Sequence, residues 1–592
     1  MQRLVRLTVV PAQRIPCVAL MVATFCLLFV PAACAHRPLA SDPGNIADSE
    51  PDQNYNQQEE DFIRTPPGFD KPGQRQVAQG ADVGRIQVRI VDSDTGEPTP
   101  CRVNIVGTDG NYYEPSGLPL EQFNSHNTGC HVYNETHPPS RYFGWHFYAP
   151  GDFEVDVPAG NVRIEVWKGY EYRPVSEEVI IDAGSQREVE INLERTAPME
   201  QENYYSGDTH IHLDRRTEED DRLALDLMEA EDINYGFLLC MNDPRSYSGR
   251  MQRQEWPQLQ GFGPDSIRTR GKYGIASAQE YRSKEYGHIC LLMHDRLVLE
   301  GANFNPNEWP VFGVVGGMTR QHGGFAFHAH GGYSREIYAD YLQQATDGVE
   351  LLQMSHYRGI GLAGWYRILN IGYRFPAIAG SDFPYVRALG DCRTYVRSSS
   401  QPDFAQWVQL AAEGRSFFTS GPLLLLQVDG KHPGDTLQLD SSEPREVEVS
   451  VRTRCEVTSV QFLDLVVNGK TVERWKLPQG AEQRGKWHER NKTITLDQPS
   501  WIAARAHGIT KTGRVDAEAH TNPVYVYVDG KKPFNREDVG WLLEKLDGEI
   551  EALKEREFPE KNRAVEFFER SRARLAGMTG PSSAEKSDVD AH

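Results

Sequence analysis

The chain has 592 residues, enough for several domains at roughly 100–200 residues each, and its 39% hydrophobic and 10% aromatic content excludes a chain disordered throughout. Lysine and arginine number 63 against 84 aspartates and glutamates, a formal charge of −21. Nucleic-acid and anionic-membrane binding run on basic surface, so this balance argues against both.

Residues 1–35 read as an export signal. Arg3, Arg6 and Arg14 precede an apolar run from Pro16 to Pro31, the length of a signal h-region and short of a membrane span. Ala33-Cys34-Ala35 fits the small-x-small rule, so cleavage after Ala35 is the plain reading. The alternative is a lipid anchor on Cys34, although Pro31 stands where lipoprotein signals usually carry an aliphatic residue. The mature chain is expected in the periplasm or outside the cell, envelope-associated if Cys34 is acylated, with no transmembrane span of its own. Disulfides persist in such a compartment; Cys101 and Cys130 either pair or remain buried thiols.

Residues 36–82, rich in Pro, Gln, Asn, Asp and Gly, read as a disordered linker. At Gly84 the texture changes, and Arg85–Val91 alternates with period two. Further strands are predicted at Arg102–Val106, Phe153–Val157, Val162–Val166, Glu178–Ile181 and Arg187–Leu193, which makes 83–197 an all-β sandwich. Through Thr95-Gly96-Glu97-Pro98, Asp109-Gly110 and Val157-Pro158-Ala159-Gly160 it resembles the carboxypeptidase regulatory-like, or transthyretin-like, modules. His126, His131, His137 and His146 lie in its long insertion, about 112–150, without metal-like spacing, and read as structural or surface residues.

Over 203–421 strands alternate with helices. Residues 218–231 carry leucines at helical spacing, and Ile233–Met241, Ile289–Met293, Phe325–His330, Gly348–Met354 and Phe375–Ala379 are short apolar runs with polar groups at their C-terminal ends. Alternating β and α argues for a barrel-like or doubly wound domain, whose chemistry gathers at the C-terminal ends of the strands. Residues 422–531 return to β texture and fit a second β-sandwich; 532–578 are helix-forming, with stretches at Val539–Leu553 and Arg563–Leu575 that pack on the body or a partner; 579–592 read as a disordered tail.

Within the α/β part, Gly207-Asp208-Thr209-His210-Ile211-His212-Leu213-Asp214 sets two histidines at i and i+2, on one face of a strand. Imidazole nitrogens so paired suit zinc or a similar ion, but a pair of core or surface histidines fits the same motif. Ser277-Ala278-Gln279-Glu280 with Gly287-His288-Ile289, Gly323–His330, Asp347-Gly348-Val349-Glu350, Gly380-Ser381-Asp382, Gly414–Pro422 and Leu465–Lys470 follow in order. Through these motifs residues 204–528 resemble the CehA/McbA family of exported metallohydrolases, built on the PHP (polymerase and histidinol phosphatase) domain.

The resemblance implies a distorted (β/α)7 PHP-type barrel flanked by two β-sandwich domains. It implies a first metal on His210, His212, Glu280 and Asp382, and a second that shares Glu280 and adds His288 and His330. The family's third metal needs histidines where this chain has Met241-Asn242 and Pro384, so two divalent ions bridged by Glu280 are expected, and zinc, manganese and iron all suit the ligands. Two such ions would activate water for hydrolysis of a small-molecule carboxylic, carbamic or phosphoester. His328, which would share a strand face with His330, His356 and Asp243 are the candidates for catalytic roles beside the ligands. Arg245, Arg358 and Arg387 are candidate phosphate partners; Tyr333 and Asp214 read as packing or solvent residues, and Trp365 and Tyr366 as core. The rival reading is a non-catalytic surface protein that uses a degenerate barrel for recognition.

Overall fold

The computed structural model describes residues 82–124, 145–242, 254–299, 305–353, 356–385, 388–440, 444–509 and 515–578. The export signal, all but the last residue of the linker, the tail, Cys34, Cys130, His126, His131, His137, Asp243, Arg245 and Arg387 lie outside the described residues. Among those residues the chain is a mixed α/β protein with sandwich-like sheets and C-terminal helices, and no helix is long and apolar enough to cross a membrane.

In the first β part, Val83–Asp92 lies between Asp152–Pro158, antiparallel, and Gln186–Leu193, parallel. Its alternation buries Ile86, Val88 and Ile90 and leaves Arg85 and Arg89 exposed. The facing sheet has the order Phe147–Ala149, Cys101–Val106, Gly160–Trp167, Val175–Ile181. Cys101–Val106 is buried on both faces: Val103 and Ile105 fill the sandwich core, and Arg102 turns outward into the α/β body. His146 is buried edge-on to Tyr148, a packing role.

The α/β part opens with three mutually parallel neighbours, Tyr204–Ile211, Tyr235–Asn242 and Tyr273–Ser283. Gly287–Leu292 folds back antiparallel between Tyr273–Ser283 and Phe325–His328, and the latter continues in parallel to Gly348–Gln353 and Ala377–Ala379. Helix Glu218–Ala230 follows the first strand, started by a capping box in which Thr217 and Asp220 satisfy each other's backbone N–H groups. Helices Phe312–Gln321, Gly361–Asn370 and Phe404–Ala412 cover other strands. Strand Tyr273–Ser283 is buried at every position, and its Gly, Ser, Gln and Glu content hides it from any hydrophobic periodicity.

Strands Arg393–Arg397 and Ser416–Thr419 carry hydrogen bonding from Tyr204–Ile211 into Val515–Thr521, so the α/β part and the second β part share a continuous ladder. There a separate antiparallel sheet, Leu423–Val428, Arg445–Arg454 and His488–Leu496, closes over a core of Leu424, Leu426, Val449, Leu463 and Ile502. The last helices, Arg536–Glu555 and Lys561–Ala576, bury an apolar stripe of Leu542, Leu546, Ile550, Phe567 and Leu575 in the α/β core. Gln343 ties the second of them down by donating to Ser571 Oγ at 2.7 Å. These helices pack on the chain's own body.

Candidate metal centre

The C-terminal edge of the parallel strands delivers the site. Past Ala377–Ala379 the chain is zipped to the first strand: Asp382 N–H donates to His210 O at 2.9 Å and His212 N–H to Phe383 O at 2.7 Å. Asp208 clamps this junction by accepting from the N–H groups of Ser381 and Gly390, each at 2.9 Å. Burial pushes its carboxyl up to about 6 against those hydrogen bonds. Alternation then sets His210 and His212 against Asp382. Position 280 of the neighbouring strand brings Glu280 in, and His288 arrives directly across the hairpin that pairs it with Arg282.

His330 reaches the same spot by another route. The predicted strand through His330 ends at His328, and His330, Gly331, Gly332, Tyr333 and Ser334 all take left-handed backbone, φ from 51 to 67°. A Cβ on Gly331 would lie 1.9 Å from Arg358 O, so only glycine fits there. Because alternation stops, His328 does not share the face of His330. Its Nε2 lies 3.0 Å from Asp340 beneath the site, fully buried, and burial holds its pKa down at about 3. The structure therefore gives His328 a core position and not one beside the ligands.

Asp382 Oδ1 lies 3.4 Å from His210 Nε2 and 3.3 Å from His212 Nε2. Glu280 lies 3.6 Å from His210 Nε2, 3.5 Å from His212 Nε2 and 3.5 Å from His330 Nε2. All five residues are buried. Each histidine has an acceptor at its other nitrogen: His210 Nδ1 meets Glu350 Oε2 at 2.9 Å, His212 Nδ1 meets Leu239 O at 3.3 Å, and His330 Nδ1 meets Gln353 Oε1. With the proton on Nδ1 in every case, three Nε2 lone pairs point at carboxylate oxygens. Lone pair against anion is repulsive, and the buried His210 Nε2 has no hydrogen-bond partner among the described residues. A cation between them resolves the conflict, so this donor set fits a metal ion, with Nδ1–H bonds of the kind that orient histidine ligands. The groups His210–Glu280–His330 and His210–His212–Asp382 each bring their ligand atoms within 4.8 Å of one another.

Without a metal ion the carboxylates favour positive charge at His210, a demand that a proton or a metal ion meets. Burial alone would raise Asp382 and Glu280, but His210 beside Asp382, and His288 and Arg282 beside Glu280, hold both below the ordinary carboxylate range. Burial opposes charge on His210, yet Cys290, Glu350 and Asp382 raise it well above the usual imidazole value. His288 stands apart from both groups. Arg282 Nε donates to its Nε2 at 3.3 Å, which leaves Nδ1–H to donate to Glu280 Oε1 at 2.7 Å.

Of the expected residues, His210, His212, Glu280, His330 and Asp382 converge, and His288 borders them. His356 is half-buried in His356–Tyr357, a strand paired with Gly348–Gln353 next to Gln353. Asp214 is on the surface beside Arg216. Tyr333, read as a packing residue, lies edge-on to His288 and His330 at 5.1 and 5.2 Å. Sequence reasoning gave no role to Glu350, Gln353, Arg282 or Cys290. Glu350 stood inside a quoted motif, and Arg282, two residues from Glu280 on one strand face, was open to the same i, i+2 argument that found His210 and His212. Tyr385 lines the other side, its ring 5.2 Å from that of His212 and its hydroxyl accepting from Trp256 Nε1 at 2.7 Å.

No family model and no curated protein matches the chain. Among solved structures, the minor pilin GBS52 of Streptococcus agalactiae matches at 15% identity and TM-score 0.13, over 19% of this chain and 45% of the pilin. PsfC of Pseudomonas syringae matches at 15% identity and TM-score 0.24, over 34% and 87%. The CARDB domain of PF1109 from Pyrococcus furiosus matches at 16% identity and TM-score 0.12, over 18% and 96%.

Proposed function

We propose that this chain is an exported metal-dependent hydrolase of small-molecule esters, with a PHP-type (β/α)7 barrel of the CehA/McbA kind between two β-sandwiches. The supporting observation is the cluster in which the Nε2 atoms of His210, His212 and His330 are turned onto Glu280 and Asp382, all five residues buried. In this reading two divalent ions, zinc, manganese or iron, are held by these residues with Glu280 shared between them. Bound there, they supply an activated water and neutralise charge developing on the scissile group.

The protein's own residues do the rest. Glu350, Leu239 O and Gln353 keep the three imidazoles in the tautomer that presents Nε2. His288 holds a proton on Nδ1 against Glu280, and Tyr333, whose hydroxyl burial keeps protonated well past its usual range, lies against it. His288 thus fixes Glu280, and Tyr333 is a neutral hydroxyl at the edge of the ligand cluster, placed to hydrogen-bond a substrate oxygen.

The test is metal content of the purified mature chain, wild type against Glu280→Ala, with hydrolysis of aryl esters and aryl phosphates before and after chelation. About two equivalents, lost in the variant, with chelator-sensitive hydrolysis are expected. A wild-type chain that holds no metal after reconstitution and hydrolyses neither substrate would overturn the reading in favour of a binding protein.

A further inference from the structure

The rings of the ligand cluster run in one row. Tyr385, His212, His210, His330 and Tyr333 follow one another at centroid spacings of 5.2, 5.1, 5.1 and 5.2 Å. Tyr333 ends the row beside His288, and Tyr385 ends it beside Trp256. The Trp256 indole stands edge-on to Tyr385 at 6.2 Å and donates from Nε1 to its hydroxyl at 2.7 Å. Both residues are half-buried, and neither ring belongs to a hydrophobic core among the described residues. Trp256 also holds left-handed backbone at φ 58°, unfavourable for a bulky residue and kept only where the surroundings fix it. Here they do. Strand Gln254–Glu255 pairs with Met241 and Asn242 at the end of the second parallel strand, and Gln258 Nε2 donates to Trp256 O and Leu213 O, both at 2.8 Å. Tyr385 is held from the other side, its N–H donating to Asp382 O at 3.0 Å.

We propose that Trp256 and Tyr385 are the specificity wall of this site, seating a flat, uncharged ring of the ester while its scissile group lies over the histidines. The inference deepens the hydrolase reading and rests on it. Two aromatic rings set edge-on to each other offer a guest ring edge-to-face and offset-stacked contacts, at the spacings of about 4.5–7 Å that such pairs prefer. Both rings are uncharged, so they favour an apolar group and give no attraction to an anion. Tyr333, at the opposite end of the row, meets the polar end of the ester. Because residues 254–258 and 382–385 are tied to strand ends, the wall stands in place without any closure.

The experiment measures binding of benzamide and, separately, of acetamide to the metal-loaded mature chain by calorimetry, with metal content and melting temperature in parallel. The two probes share an uncharged amide and differ by the ring. Wild type is expected to bind benzamide more tightly than acetamide. Loss of one aromatic contact weakens a ring by about 3- to 10-fold. Trp256→Ala is expected to lose that much for benzamide, with acetamide binding and metal content unchanged and Trp256→Phe in between. If wild type binds benzamide no more tightly than acetamide, the inference is overturned. It is also overturned if Trp256→Ala binds benzamide as wild type does, or loses both amides equally. Should Trp256→Ala fail to fold or lose metal, Trp256→Leu carries the decision, since leucine keeps apolar bulk without a ring. Binding needs no turnover, so Trp256-dependent benzamide binding by a protein that hydrolyses nothing removes the hydrolase reading alone. Hydrolysis with Trp256-independent binding removes this inference alone.

Discussion

His210 Nδ1 lies 2.9 Å from Glu350 Oε2, on the edge of the ring opposite Glu280 and Asp382. The same carboxylate oxygen accepts from Gln353 Nε2 at 3.2 Å, and Gln353 in turn accepts from His330. One buried acid therefore sets the orientation of two proposed ligands on different chain segments. Glu350→Gln keeps the shape and removes the charge, and metal affinity is expected to fall by about 10- to 100-fold, the usual loss when an outer partner of a ligand is changed. Competition with a graded series of chelators measures it. Unchanged affinity would mean that Glu350 is only a packing residue.

Gly380 tests how tightly the junction is built. A Cβ there would lie 2.1 Å from Glu350 Oε1, a side-chain end held in place through His210 and Gln353, and 2.7 Å from His210 Cβ, which cannot swing away. Gly380→Ala is expected to cost about 1–3 kcal/mol of stability from overpacking and to displace His210, so that metal binding falls with it. Gly317, inside helix Phe312–Gln321, is the control: a Cβ there meets nothing within 4 Å, and Gly317→Ala should stabilise by up to about 1 kcal/mol. Urea unfolding of the two variants separates a general response to alanine from the local clash.

Period two found most strands of the first β part within three residues of their ends, best where one face meets a core and the other water, as in Val83–Asp92, and it missed Phe147–Ala149. The rule could not see Tyr273–Ser283, which is buried on both faces, and Glu280 was reached only through a motif. The i, i+2 argument held for His210 and His212, which share a strand face. It failed for His328 and His330, because a left-handed run intervenes whose only sequence trace is Gly331-Gly332. Glu350 and Gln353 act through contacts 140 and 23 residues away along the chain, distances that no local pattern encodes.

The first β part is fastened to the α/β body by buried charge. Arg102 Nε lies 2.8 Å from Glu231 Oε1, both fully buried, with Tyr148 O–H donating to the same carboxylate at 2.7 Å and the Trp167 ring 3.8 Å from the guanidinium. To remove one partner strands the other charge, so Glu231→Ala should destabilise by about 3–5 kcal/mol. Arg102→Met with Glu231→Leu should recover most of that, since a buried pair replaced by apolar groups of similar volume is near neutral. Chemical denaturation of the single and double variants decides. An additive double variant would mean that the two residues do not act as a pair.

His520 offers a pH signature away from the metal centre. Its Nε2 accepts from Tyr366 O–H at 2.6 Å and its Nδ1–H donates to Thr521 O at 2.7 Å, a neutral ring with both nitrogens used, stacked 5.7 Å from Phe418. Burial, with Arg505 adding to it, pushes its pKa down to about 3 from 6.5, although Thr521 O and Asp464 pull the other way. Between those values the unfolded chain binds a proton at this position and the folded chain does not, so stability rises with pH through the window and is lost on acidification. At two pH units below 6.5 the loss from this residue is about 2.7 kcal/mol. His520→Gln keeps a polar side chain and removes the titration. Its unfolding free energy between pH 7 and 4.5 should therefore fall by about 2.7 kcal/mol less than that of wild type. Parallel curves for the two proteins would show that His520 charges within the fold, and that its hydrogen bonds to Tyr366 and Thr521 do not hold it neutral.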